Sequence, residues 1–375
     1  MIYREFQDIK LSALGMGCMR LPMHGESDKI DKDAVHRMVA YAIDKGVNYF
    51  DTAWGYHNGN SESVMGEVLG EYPRDKYYLA TKFPGYNLSN MDKVEEIFEA
   101  QLKKCGVEYF DFYLFHNVNE LNIDSYLDPK YGIYDYLMEQ KRNGRIRHLG
   151  FSTHGTLDTM KRFLDAYGKD IEFCQIQLNW IDWKMQNAKV KVEILKELNI
   201  PIWVMEPVRG GKLADIEPEY KNQLKEIRSE ASVVEWAFRF LQSIPEVVVT
   251  LSGMSNLEQL KENIAIYDVE KPLNNAEIKT LFDIAHYMTA KNTLPCTSCC
   301  YCTSHCPMGL DIPKLIELYN EHIYSGGGFL APMAVGALPE NKKPSACLHC
   351  RACEAVCPQN IKISEMMTDF VERLK

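Results

Sequence analysis

A parallel (β/α)8 barrel followed by a small cysteine-rich module is the fold that two features of this chain predict. The first is an eightfold alternation of short apolar runs with amphipathic stretches over roughly the first three quarters of the 375 residues. The second is a pair of cysteine runs near the C-terminal end. Cys296-x-x-Cys299-x-x-Cys302-x-x-x-Cys306-Pro307 is repeated as Cys347-x-x-Cys350-x-x-Cys353-x-x-x-Cys357-Pro358. The expected division is 1–289 for the barrel and 290–375 for the module.

The candidate barrel strands are Ala13–Gly17, Tyr49–Asp51, Tyr78–Thr81, Phe112–Phe115, His148–Phe151, Phe173–Gln177, Ile202–Met205 and Val247–Leu251. Several are continuously apolar, as strands buried on both faces must be. Between them lie helical patterns at Asp33–Asp44, Met91–Cys105, Tyr134–Asn143, Leu157–Tyr167, Val190–Leu198 and Val233–Gln242. Asp31 is placed to cap the first and Gly46 to stop it. An open doubly wound sheet is the competing architecture, but no Gly-x-Gly-x-x-Gly turn enters a helix. Asn275–Thr289 reads as the helix that closes the barrel, and Ala290–Pro295 as the link to the module. Between the cysteine runs, an insertion carries the amphipathic stretch Ile312–His322 and a Gly326-Gly327-Gly328 break.

The cysteine spacing is that of a two-cluster bacterial ferredoxin. Three soft thiolates from one tight loop grip one [4Fe-4S] cubane, and the fourth, Cys306 or Cys357, should ligate the other. Nine of the twelve cysteines lie at Cys296 or later, so they do not form a framework of disulfides spread over the chain. Cys300 reads as a spare thiol, and Cys18, Cys105 and Cys174 as packing residues. Exposed clusters are vulnerable to oxygen, so a cytoplasmic, oxygen-poor setting is expected. Apolar residues make up 46% and charged residues 25%, ordinary for a globular protein. A formal charge of -10 argues against a nucleic-acid partner. No apolar stretch is long enough to span a bilayer, and the first residues lack a signal-peptide pattern.

Barrel active sites are built from the loops that follow the strands. Asp51-Thr52-Ala53-Trp54-Gly55-Tyr56 follows the second strand, Lys82 the third and His116 the fourth. With Phe50-Asp51-Thr52-Ala53 and Tyr56, Gly59-Asn60-Ser61-Glu62, Ala80-Thr81-Lys82, Leu114-Phe115-His116 and Leu149-Gly150-Phe151-Ser152, the chain resembles the aldo-keto reductase superfamily over roughly residues 1–285. The whole chain resembles the subset with a ferredoxin-like extension. The resemblance implies a catalytic tetrad of Tyr56, Lys82, Asp51 and His116. Tyr56 would protonate a carbonyl oxygen as hydride reaches the carbon. Lys82 would lower the phenol's pKa, Asp51 would fix Lys82, and His116 would orient the carbonyl.

The same resemblance places a nicotinamide cofactor, NAD(H) or NADP(H). Ser152 and Gln175 would hold its carboxamide, with Thr153 standing where the family has Asn. Met205 would pack on the ring, and Arg209 and Gly210 would lie over the pyrophosphate. Gly253 and Gln259 replace the cations that read the 2′-phosphate, which leaves NADPH preference in doubt, while Glu262 and Asn263 match the adenine side.

Hydride moves two electrons and a cluster one, so a converter such as flavin is a further cofactor to consider. The expected function is an oxidoreductase acting on a small carbonyl or alcohol with nicotinamide, linked through two [4Fe-4S] clusters to an external carrier, a ferredoxin or flavodoxin. The alternatives are a flavin- or cluster-fed reductase using the Tyr56 acid on a different substrate, and a non-enzymatic redox-sensing or regulatory binding protein.

Overall fold

A computed structural model describes residues 1–25 and 29–375. The chain divides into two compact units, Met1–Lys279 and Thr280–Lys375.

The first unit begins with a two-stranded antiparallel hairpin, β1 (Tyr3–Phe6) and β2 (Ile9–Ser12). Eight parallel strands follow: β3 (Leu14–Gly17), β4 (Tyr49–Asp51), β5 (Tyr78–Phe83), β6 (Phe110–Val118), β7 (Ile146–Thr153), β8 (Phe173–Gln177), β9 (Ile202–Met205) and β10 (Val247–Ser252). They pair in sequence order, and β10 closes on β3. Every barrel strand expected from the sequence is present. The hairpin was not expected.

The barrel interior is a packed core. Tyr49, Phe112, Phe173 and Trp203 from four strands meet Phe6 and Leu11 of the hairpin. The rings of Phe6 and Trp203 lie edge to face at 5.1 Å, and those of Phe173 and Trp203 are 4.6 Å apart. The hairpin thus plugs the end of the barrel where the strands begin. Packing is tight enough to require Gly15, because a Cβ there would lie 2.8 Å from Leu251 and 2.9 Å from Val249.

Helices follow the strands as their polar–apolar periodicity demands. Lys32–Asp44 is capped by the Asp31 side chain on the Ala34 amide, and Leu157–Tyr167 by Thr156 on Thr159. The helix expected over Met91–Cys105 begins at Val94, after a separate 3-10 turn at Leu88–Asn90. Among the described residues no helix is long and apolar enough to cross a membrane.

The second unit has its own core. Ile312, Leu315 and Ile316 of the helix Ile312–Ser325 pack with Met366, Met367 and Phe370 of the helix Ile363–Arg373. Gly326, in the left-handed region, ends the first of these helices.

Candidate active site and cysteine cages

Asp51 and Lys82 occupy facing positions near the ends of β4 and β5, and both are buried. Lys82 Nζ donates to Asp51 Oδ1 at 2.6 Å and to the Thr52 carbonyl at 2.8 Å. The second oxygen, Asp51 Oδ2, is buried with no partner. Burial raises the Asp51 carboxyl, and Lys82 opposes the rise. Tyr56 lies on the loop after β4, with its ring centroid 5.4 Å from Lys82 Nζ. His116 on β6 stands edge to face with Tyr56 at 6.0 Å and with Tyr86 at 5.1 Å. The four residues of the expected tetrad are therefore neighbours.

Their electrostatics differ from expectation in one respect. Burial pushes the Tyr56 phenol well above its usual value, and the nearby carboxylate of Asp51 adds to the rise. Burial, the largest cause, prevails over Lys82, whose ammonium lies 5.4 Å from the ring centroid. Burial, followed by the charge of Lys82, holds the His116 imidazole well below its usual value, so the ring is neutral.

A motif without an assigned role turns out to brace this pair from behind. The fully buried Glu62 accepts from Thr81 Oγ1 and from Gln101 Nε2, both at 2.7 Å. Gln101 also donates to the Lys82 carbonyl at 3.0 Å. The strand that carries Lys82 is thereby pinned on its outer face.

Above the tetrad opens a cleft of about 290 Å³. Asp51, Tyr56, Gln175, Met205, Gly210, Gly253, Gln259, Glu262 and Asn263 all line it. Gln175 Oε1 is buried without a partner, and its amide nitrogen reaches only Met205 Sδ, at 3.7 Å. That vacant acceptor suits an amide group in the cleft. Gly210 adopts φ 64°, which brings backbone rather than a side chain to the cleft wall.

Three expected cofactor residues lie outside the cleft lining. Ser152 Oγ accepts from the Asn117 amide at 2.8 Å. Thr153 is turned to the backbone, donating to Val118 O at 2.7 Å and accepting from the Gly155 amide at 3.0 Å. Arg209 is buried and bonds Asp182 through Nε at 3.0 Å. Its charge answers an internal carboxylate instead of facing the cleft.

Among the described residues the cation lining the cleft is Arg20, on the turn after β3, whose side chain passes between the Gly210 and Gly253 loops. Opposite it lies Glu206, whose carboxyl is raised by burial and lowered again by Arg20. Extending the rule of reading the residues after each strand to the first strand points to Arg20.

The family model for the aldo/keto reductase family matches residues 13–285. The chain belongs to that family. It is an oxidoreductase. This aldo/keto reductase is 25% identical over 312 residues to the "Probable aldo-keto reductase 1" of Glycine max, covering 74% of this chain and 86% of the relative. It is 23% identical over 325 residues to the NADH-specific methylglyoxal reductase of Escherichia coli, covering 74% and 96%. Its fold matches that of aldo-keto reductase AKR11C1 from Bacillus halodurans (holo form), with a TM-score of 0.62 at 23% identity, over 76% of this chain and 96% of that one.

In the second unit the cysteines gather around two cages. Cys296, Cys299, Cys302 and Cys357 line one, together with Cys300. Cys306, Cys347, Cys350 and Cys353 line the other. The fourth cysteine of each run therefore stands with the first three of the other run. The thiols surround a space and do not meet at a point: among the described residues no three His, Cys, Asp or Glu side chains are placed to hold a single ion. Residues 295–361 match the 4Fe-4S dicluster domain. The aldo/keto reductase barrel of this chain is thus followed by a ferredoxin-like iron–sulfur domain.

Proposed function

We propose that the barrel interconverts a carbonyl and an alcohol with a nicotinamide dinucleotide in the cleft, and that the C-terminal module carries two [4Fe-4S] clusters that exchange electrons with an external carrier. The observation that carries the first half is the sharing of one cleft by Tyr56 and Asp51 with the unpartnered amide oxygen of Gln175. Relatives support the cofactor class: one is NADH-specific by name, and a Klebsiella pneumoniae aldo/keto reductase of the same fold is a complex with NADP and acetate. The two groups of four cysteines support the second half.

When bound, a reduced nicotinamide supplies hydride to the carbonyl carbon. The remaining tasks belong to this chain. Gln175 would orient the carboxamide, Met205 and Gly210 would bound the cofactor, and Arg20 would offer charge to its phosphates. The neutral His116 donates a hydrogen bond to the substrate oxygen. Tyr56, kept protonated by burial, passes its proton to that oxygen, and Lys82 supplies positive charge beside the phenolate that remains. Asp51 holds Lys82 in place through their 2.6 Å ion pair.

The deciding experiment is anaerobic. NADH or NADPH is added to cluster-replete protein while visible absorbance is followed. Bleaching supports one electron path from cleft to clusters. Nicotinamide binding without bleaching refutes that coupling. Flavin extracted from the same preparation would move the reading to a flavin-fed reductase.

A further inference from the structure

The two cysteine loops repeat one backbone conformation. Ser298 and Cys300 have φ of 54° and 62°, and His349 and Arg351 have φ of 54° and 61°. Each pair stands two and four residues beyond the first cysteine of its run, so Cys300 and Arg351 occupy matching positions. Each lines its own cage. One cage thus has Cys300 in its lining where the other has Arg351.

The rest of the lining deepens the difference. No charged side chain lines the cage of Cys296, Cys299, Cys302 and Cys357. Near the other cage, Lys342 Nζ donates at 2.9 Å to the carbonyls of both Met308 and Gly309, in the loop after Cys306. Glu354 is an anion that opposes the charge of Arg351. Glu354 follows Cys353, and its carboxylate accepts from the amide and hydroxyl of Ser364.

We propose that Arg351 makes the two clusters unequal, so that the one held by Cys306, Cys347, Cys350 and Cys353 has the higher reduction potential and receives the first electron. The inference rests on the two-cluster reading above. Reduction adds one electron to a cubane already made negative by its thiolates. A permanent positive charge on a residue that lines the cage stabilises that extra charge, whereas a thiol does not.

The test is an anaerobic reductive titration of the full, cluster-replete chain with dithionite, followed by electron paramagnetic resonance. Iron content is measured first. Iron short of two cubanes would overturn the two-cluster reading and this inference with it. With both clusters present, the native chain should show two midpoint potentials. Arg351→Gln should lower the higher one and leave the lower unmoved, and Arg351→Lys should keep it high. Cys300→Arg should raise the lower one. Unchanged midpoints in a fully loaded Arg351→Gln variant, or a fall confined to the lower midpoint, would overturn the assignment.

Discussion

Tyr56 is held by its surroundings as an acid that has not yet let go of its proton. Burial, with the carboxylate of Asp51 adding to it, outweighs the charge of Lys82 nearby. Tyr56→Phe should therefore reduce kcat by roughly 10² to 10⁴-fold while nicotinamide affinity, measured by fluorescence titration, stays unchanged. Lys82→Met leaves a buried carboxylate without its partner and should cost about 3–5 kcal/mol in the unfolding transition of the barrel. Adding Asp51→Asn to that variant should return part of the loss. Gly253 and Gln259, both in the cleft lining, are the residues that the family resemblance sets where cations would read a 2′-phosphate. Competitive binding should accordingly favour NADH over NADPH by about tenfold or more, and Gln259→Arg should narrow the gap. The nearness of Tyr56, Lys82, Asp51 and His116 was legible in the sequence because each lies in the last residues of a barrel strand or just beyond it. The role given to Arg209 was not sustained, since its partner Asp182 is brought to it only by folding.

At the scale of elements, continuous apolar runs mark buried parallel strands so plainly that β4, β8 and β9 have their expected ends. The hairpin escaped notice for a physical reason. Its strands have four residues each, charged side chains interrupt them, and Gln7 at φ 52° makes the turn where Gly or Asn would have advertised it. One carboxylate ties this plug to the barrel. Glu172 accepts from Gln7 Nε2 at 2.7 Å, meets His148 Nδ1 at 2.9 Å and pairs with Lys141 at 2.5 Å. Burial alone would raise its carboxyl, but the hydrogen bonds from His148, Lys141 and Gln7 prevail and hold it at about 2. A carboxyl lowered in the folded state stabilises above its unfolded value, and that stability is lost as pH falls through the folded one. Glu172→Gln should thus destabilise the barrel by about 2–3 kcal/mol at neutral pH, as read by urea denaturation. The difference should shrink as pH falls from about 4.5 toward about 2.

For the molecule as a whole, the chain divides into two compact units, each with an apolar core of its own. Cys350→Ala should remove the visible absorbance of one cluster and leave the unfolding transition of the barrel where it was, as measured by circular dichroism against urea. The cysteine spacing made the module legible, but the asymmetry of its two cages was not, because it depends on which side chains line each space. Ile363 belongs to that lining in both cages. A branched hydrocarbon side chain between two redox centres is a dielectric spacer, and transfer across such a gap slows steeply as the gap widens. A cavity left by Ile363→Ala would change how quickly charge equilibrates between the two sites, without touching a ligand of either. In circuit terms, the two-cluster reading proposed above makes this aliphatic side chain part of the resistance between the two terminals of the module.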